Sequence, residues 1–293
     1  MKNLGKYLLT SVKGACMGAA DVIPGVSGGT IAFIMGIYDE FVSSIAKIDS
    51  EAVKMLLKGQ FRDFWKHING GFLLSIVIGI GFSVVTLAGL MKTLLAEHPV
   101  QTWAFFFGLI VASSILILKG ISGWKIREGI MLILGVALGA VVCNLSQTST
   151  PDGLWFIFLS GALAICAMIL PGISGSFILV ILGKYDYIMG CISNVTKGID
   201  FGQNVLILSV FLLGAAIGIL SFSKFLRWLL ARWNKETMVV LAGFIIGSLS
   251  KVFPWSASNS GIDNNSAIAF AVLGLLLVIG IELASKVIAN RKK

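Results

Sequence analysis

The chain has 293 residues, 57% of them hydrophobic and only 13% charged, with a mean hydropathy of +0.94. A soluble domain cannot solvate such a surface, so composition excludes a water-soluble enzyme and indicates a polytopic, all-α membrane protein. The net charge of +9 would suit a nucleic-acid partner, but the basic residues fall in the loops between apolar segments, and no nucleic acid is expected.

The start, Met1 to Lys13, is basic without an uninterrupted apolar core or a small-residue cleavage site, so no removable leader is expected. The first apolar stretch, Leu8 to Ile23, is interrupted by Lys13 and Asp21 and runs into Pro24-Gly25-Val26-Ser27-Gly28-Gly29-Thr30. Thr30 to Ile45 then reads as a second short helix. Neither piece reaches the roughly 20 apolar residues of a full crossing. A re-entrant hairpin with the motif at its tip accounts for both.

The motif has a physical meaning of its own. Proline ends the preceding helix, the glycines free the backbone, and Ser27 can cap a new helix. A broken helix of this kind exposes backbone N–H groups and hydroxyls, which suits an oxyanion.

From Lys47 to Ile68, basic residues Lys54, Lys58, Arg62 and Lys66 recur every four positions beside Leu57, Phe61, Phe64 and Trp65. The spacing predicts an amphipathic helix over about 48–68. It would lie at the interface with its cations on anionic headgroups. Three apolar segments follow, Phe72–Met91, Trp103–Leu118 and Gly129–Cys143.

The motif then returns, 147 positions later, as Pro171-Gly172-Ile173-Ser174-Gly175-Ser176-Phe177. From Pro24 to Asp39, nine of sixteen residues are identical to those of Pro171 to Asp186. The arms of this second hairpin are Leu154–Leu170 and Phe177–Cys191. The first is long enough that a spanning broken helix stays open. Val205–Phe222, Met238–Leu249 and Ile268–Leu283 complete the chain. The later parts of the halves align at an offset of 135, where Thr102, Gly108 and Ser113 meet Thr237, Gly243 and Ser248.

The chain is thus expected to be two repeats, 1–146 and 147–293, joined in one membrane domain. Each holds a hairpin plus about three crossings. An odd number of crossings per repeat inverts the second relative to the first. Basic residues agree: with both termini cytoplasmic, 19 of the 23 lie on inside segments, as the positive-inside rule requires. GxxxG pairs at Gly14/Gly18, Gly135/Gly139, Gly214/Gly218 and Gly243/Gly247 are read as helix contacts within the chain. A homo-oligomer is also compatible with them. Cys16, Cys143, Cys166 and Cys191 lack metal or disulfide spacing, and neither metal nor cofactor is expected.

Inverted hairpins bring both tips towards the bilayer midplane. Gly25, Ser27, Gly28, Gly29, Thr30, Gly172, Ser174, Gly175 and Ser176 would then form a cradle for a phosphate-like anion, with Pro24 and Pro171 breaking the helices. Asp21, Asp39, Lys184 and Asp186 are the ionisable residues nearby. Asp21, three residues before Pro24, is the candidate for proton or cation coupling, or for capping the broken backbone. Asp39, Lys184 and Asp186 suit either coupling or a place at the interfacial ends of the hairpins.

Met17-Gly18-Ala19-Ala20-Asp21-Val22-Ile23-Pro24-Gly25-Val26-Ser27-Gly28-Gly29-Thr30, with Gly36-Ile37-Tyr38, resembles the first signature of the PopT family. Ala167-Met168-Ile169-Leu170-Pro171-Gly172-Ile173-Ser174-Gly175-Ser176 resembles the second. These are bacterial and archaeal polyprenyl-phosphate transporters, long catalogued as a membrane domain of unknown function. The resemblance covers nearly the whole chain. It implies a multi-pass protein of the bacterial cytoplasmic membrane that returns undecaprenyl phosphate, the lipid carrier of peptidoglycan and other envelope glycans, to the cytoplasmic leaflet.

Two other readings compete. Undecaprenyl-diphosphate phosphatases share duplicated inverted hairpins and Pro-Gly-x-Ser, but their motif continues with arginine and is accompanied by glutamates. Here Ser27 precedes Gly28-Gly29, Ser174 precedes Gly175-Ser176, and no arginine or histidine lies in the hairpins. Phosphoryl transfer lacks its partners, and no enzyme is expected. A small-anion transporter or channel is the other reading.

Overall fold

The computed structural model describes residues 2–21, 27–148, 150–255 and 264–290. Among these the chain is helical throughout: α1 (Lys2–Asp21), α2 (Gly28–Ile34), α3 (Tyr38–Ala46), α4 (Ser50–Leu57), α5 (Phe61–His67), α6 (Gly70–Glu97) and α7 (Pro99–Gly120). They continue as α8 (Ile126–Cys143), α9 (Leu154–Ile169), α10 (Gly175–Ile181), α11 (Tyr185–Lys197), α12 (Phe201–Arg232), α13 (Asn234–Ser248) and α14 (Asn264–Asn290), with a 3-10 turn at Leu249–Val252.

Four of these helices, α6, α7, α8 and α12, are long and apolar enough to cross a membrane, and six spans result if each bent pair described below counts as one. Their apolar side chains are not confined to one stripe. On α12, Leu206, Leu212 and Leu213 are all more than half exposed, which only a hydrocarbon solvent makes inexpensive. The all-α membrane architecture read from composition is the observed one.

The chain forms two compact units, residues 1–85 with 145–234, and 86–144 with 235–293. Each unit draws segments from both sequence halves. In the first, α9 packs on α12, and α3 and α11 pack on α12 as well. Gly161 and Gly214 allow α9 and α12 to touch backbone to backbone, facing Phe211 O and Phe158 O respectively. Gly14 and Gly18 let α1 approach Ile76 and Ile80 of α6 in the same way. The second unit uses the same device. Gly135 and Gly139 of α8 face Gly243 and Gly247 of α13, while Gly108 of α7 and Gly274 of α14 face Ala271 and Phe105. The GxxxG pairs therefore make contacts inside the chain, where small residues let helices close without loss of backbone hydrogen bonds. Arg127–Glu236 at 3.2 Å and Lys235–Glu128 at 3.0 Å tie the starts of α8 and α13.

Three segments expected as single helices are each broken once more. Thr30–Ile45 forms α2 and α3, bent by 120°, and Phe177–Cys191 falls in α10 and α11, bent by 107°. The breaks lie at Gly36 (φ +65°) and Gly183 (φ +63°). Glycine adopts this left-handed conformation at little cost, and it ends the helix before it. The interfacial helix expected over 48–68 is likewise two helices, α4 and α5, separated at Gly59 (φ +71°). Its amphipathic character persists: Val53, Leu57, Phe61 and Trp65 are exposed. Asp49 caps α4 by accepting the N–H groups of Glu51 and Ala52, each at 3.0 Å. The Ala52 N–H above all holds its carboxyl below the ordinary aspartate value.

Candidate functional site

The site is built by the ends of four helices in the first unit. α1 stops at Asp21, and Pro24 and Gly25 lie outside the described residues. Ser27 follows in extended conformation (φ −118°, ψ 135°) as the N-cap of α2, its Oγ accepting the Gly29 N–H at 3.1 Å. Serine at this position satisfies one of the donors that a helix start leaves open. Asp21 satisfies another: its Oδ1 accepts the Gly28 N–H at 2.7 Å. The last side chain of α1 thus closes the start of α2 across the break.

The second copy is arranged around Gly172, at φ +95°. α9 ends with Leu170 in extended conformation, and Ser174 stands at the N-cap position of α10 (φ −95°, ψ 139°). The Ser174 hydroxyl engages Ser176 Oγ at 2.6 Å rather than a backbone N–H of its own helix.

The two tips meet. The Gly172 N–H donates to Thr30 Oγ1 at 2.7 Å. The Ser27 hydroxyl lies 3.3 Å from both Met168 O and Leu170 O, carbonyls that the end of α9 leaves free of helical partners. Gly29 makes the approach possible, because a Cβ there would stand 2.6 Å from Ile169 O. Gly175 allows α10 to lie on α9, since its Cβ would stand 2.7 Å from Ala164 O. Ser27, Thr30 and Ser174 are buried. Ser27, Gly29, Thr30 and Gly172 thus make the contact between the two motifs, whereas Gly28, Ser174, Gly175 and Ser176 are engaged within their own copy.

The donors are less open than the sequence suggests. The N–H groups of Gly28, Gly29 and Gly172 already serve Asp21, Ser27 and Thr30. An anion at Gly28 has to take the place of the Asp21 carboxylate, which is itself an anion at a helix start.

Of the ionisable candidates, only Asp21 is at the tips. Asp39, Lys184 and Asp186 sit at the opposite ends of α2 and α10, about 10 Å away along a seven-residue helix. Asp39 and Asp186 are exposed in the first turns of α3 and α11, and Asn234 lies near Asp39. Lys184 is buried between the rings of Phe156 and Tyr187, at 5.7 and 5.6 Å, and its ammonium donates to Thr150 O at 3.0 Å and Asp152 Oδ1 at 2.5 Å.

Lys13, which interrupts the first apolar stretch, donates to Met35 O at 2.9 Å and so caps the far end of α2. A lysine inside an apolar stretch was the available signal. Nothing in the sequence marked Thr150 and Asp152 as partners of Lys184. One group with metal-like spacing occurs among the described residues: Asp49, Glu51 and His67, within 4.8 Å of one another on α4 and α5. Asp49 there is already the cap of α4.

Residues 17–270 match the model of the undecaprenyl phosphate translocase-like family. A polyprenyl-phosphate transporter of Vibrio cholerae serotype O1 is 44% identical over 260 residues, covering 89% of this chain and 82% of that protein. A polyprenyl-phosphate transporter of Staphylococcus aureus is 34% identical over 280 residues, 91% of each chain. No solved structure matches the chain significantly.

Proposed function

We propose, since the chain belongs to the undecaprenyl phosphate translocase-like family, that it is a transporter, not an enzyme, and that it returns undecaprenyl phosphate to the cytoplasmic leaflet of the bacterial inner membrane for reuse in envelope glycan synthesis. The paired tips hold the phosphate while the polyprenyl tail stays in hydrocarbon. The single observation that carries this is the meeting of the two motifs: Thr30 Oγ1 and the Gly172 N–H lie 2.7 Å apart, although 142 positions separate them.

The geometry suggests how binding and release alternate. Asp21 occupies Gly28 in the closed arrangement. An arriving phosphate displaces the carboxylate and gains the Gly28 N–H together with the hydroxyls of Ser27, Thr30, Ser174 and Ser176. Asp21 returns as the phosphate leaves. Because no arginine or histidine lies in either hairpin, the anion is held by neutral donors and is released without separating a strong ion pair. Proton uptake by Asp21 on displacement would couple the step to a gradient.

The repeats are inverted, with both termini cytoplasmic. Supporting this, polar ties join segments that the basic-loop assignment puts on one face. Asn69 donates to Glu40, and Asn234 lies near Asp39. Lys235 and Arg127 pair with Glu128 and Glu236. On the other face, Gln101 donates to Ser266 and Lys184 pairs with Asp152. The exposed basic residues of α4 and α5 sit on anionic headgroups of the inner leaflet.

The test is leaflet exchange of labelled undecaprenyl phosphate in vesicles containing only this protein. Exchange well above that of protein-free vesicles, with no inorganic phosphate released, is expected. Exchange at the protein-free rate would remove the transporter, and sustained phosphate release lost in Ser27→Ala or Ser174→Ala would replace it with a phosphatase.

A further inference from the structure

We infer that Lys184 is a receiving site for the phosphate-monoester headgroup, distinct from the tips, with Asp152 as the counterion that the headgroup displaces. The lipid identity of the ligand rests on the transporter reading above; the site itself rests on the following contrast.

Lys184 and Asp152 form an ion pair whose halves are differently placed. The lysine side chain is 2% exposed, whereas that of Asp152 is 70% exposed. A buried ammonium needs an anion or a full set of acceptors, because its desolvation is otherwise uncompensated. An exposed carboxylate has no such need: it can turn into water and recover its hydration. The pair therefore consists of a fixed demand for negative charge and a supplier that water can solvate once it is displaced. Lys184 has three N–H donors, and Thr150 O takes one at 3.0 Å. The rings of Phe156 and Tyr187 flank the ammonium. They stabilise the cation and hold its position without competing for an incoming oxygen.

The surroundings suit such an exchange. Lys184 and Asp152 line an open cleft of about 480 Å³ together with Gln147, Thr148, Thr150 and Gly183. That volume is in the range of small-molecule sites, and the lining offers amide and hydroxyl groups to phosphate oxygens. The loop that carries Asp152 is held independently of the ion pair. The Thr148 N–H donates to Ile181 O at 2.8 Å, and the Thr150 hydroxyl donates to Leu182 O at 2.5 Å. Both carbonyls belong to the end of α10, so the carboxylate can leave while the cleft keeps its shape. α10 runs from this cleft to the tip at Gly175, so Lys184 and the tip are separated by about 10 Å along that helix.

Binding of geranyl phosphate to the full-length protein, in nanodiscs of neutral phosphatidylcholine, tests the assignment. Asp152→Asn keeps the size of the side chain and removes the competing charge, so geranyl phosphate should bind about tenfold more tightly. Lys184→Gln should weaken it at least about tenfold, and geraniol should bind all three proteins alike. Unchanged or weaker binding by Asp152→Asn would show an ion pair that only fastens the loop, and would overturn the site even if Lys184→Gln failed to fold. Inorganic phosphate competing as well as geranyl phosphate would overturn the lipid assignment. Transport is read separately. Absence of leaflet exchange with the predicted binding order removes the transporter reading and leaves the site. Normal exchange by Lys184→Gln, with unchanged dependence on lipid concentration, leaves the transporter and removes the site.

Discussion

Thr30 accepts the backbone N–H of Gly172 at 2.7 Å, and both groups are buried. This bond joins the two copies of the repeated motif and sets the register between the start of α2 and the turn that follows α9. Thr30→Val keeps the shape of the side chain but leaves the Gly172 donor without its acceptor. A loss of about 1–3 kcal/mol in stability is expected, with leaflet exchange reduced more than in Thr30→Ser, which retains the oxygen. Thermal unfolding in nanodiscs and vesicle exchange measure the two effects. Wild-type behaviour of Thr30→Val in both would dissociate the tip contact from function.

Glycine replacements should rank by what the new Cβ meets. At Gly29 and Gly175 it meets backbone carbonyls, Ile169 O at 2.6 Å and Ala164 O at 2.7 Å. At Gly28 it meets the Asp21 carboxylate at 2.5 Å, the end of a side chain that can move. Gly29→Ala and Gly175→Ala should therefore impair transport more than Gly28→Ala, while the larger Gly28→Val abolishes it. Equal exchange rates across the three alanine variants would contradict close backbone approach as the reason for these glycines.

Asp21→Asn retains an oxygen that can accept the Gly28 N–H and discards the charge. Folding should change little, by at most about 1 kcal/mol. The response of transport to an imposed proton or cation gradient should vanish. Asp21→Ala, which also loses the cap, should be less stable than Asp21→Asn. A normal gradient response in Asp21→Asn would confine Asp21 to capping.

Inverted topology is open to cysteine labelling. None of the four cysteines forms a disulfide, so replacing them breaks none. Single cysteines at Gln60 and Asn234 should react only from the cytoplasmic side, and those at Ser146 and Asn264 only from outside. Gln60 and Ser146 labelling from one side would overturn the arrangement.

Much of the tip region was legible in the sequence because proline, glycine and serine act locally. A repeat of nine identities in sixteen residues located both helix breaks, and Asp21 stood close enough to Pro24 to be suspected as a cap. The second breaks were harder to see. Gly36 and Gly183 lie at matched positions of the repeat, yet each follows an unbroken apolar run that keeps a helical period. One glycine costs a helix only about 1 kcal/mol, so the pattern alone does not say whether the chain turns there. The occupation of the Gly28, Gly29 and Gly172 donors is tertiary, set by how α1 and α9 end. The Lys184–Asp152 pair depends on a loop folding back across 32 positions, and no local rule announces it.

The positive-φ glycines after α2 and α10 also fix how finely the tips can be adjusted. Each short helix is a rod of about 10 Å pivoting on one residue. Turning such a rod by about 20° sweeps its far end through roughly 3.5 Å, farther than a hydrogen bond stretches. A tilt of that size at Gly36 would therefore part Thr30 from Gly172 altogether. The register between the two motifs thus depends on the backbone angles of single glycines some distance from the contact itself.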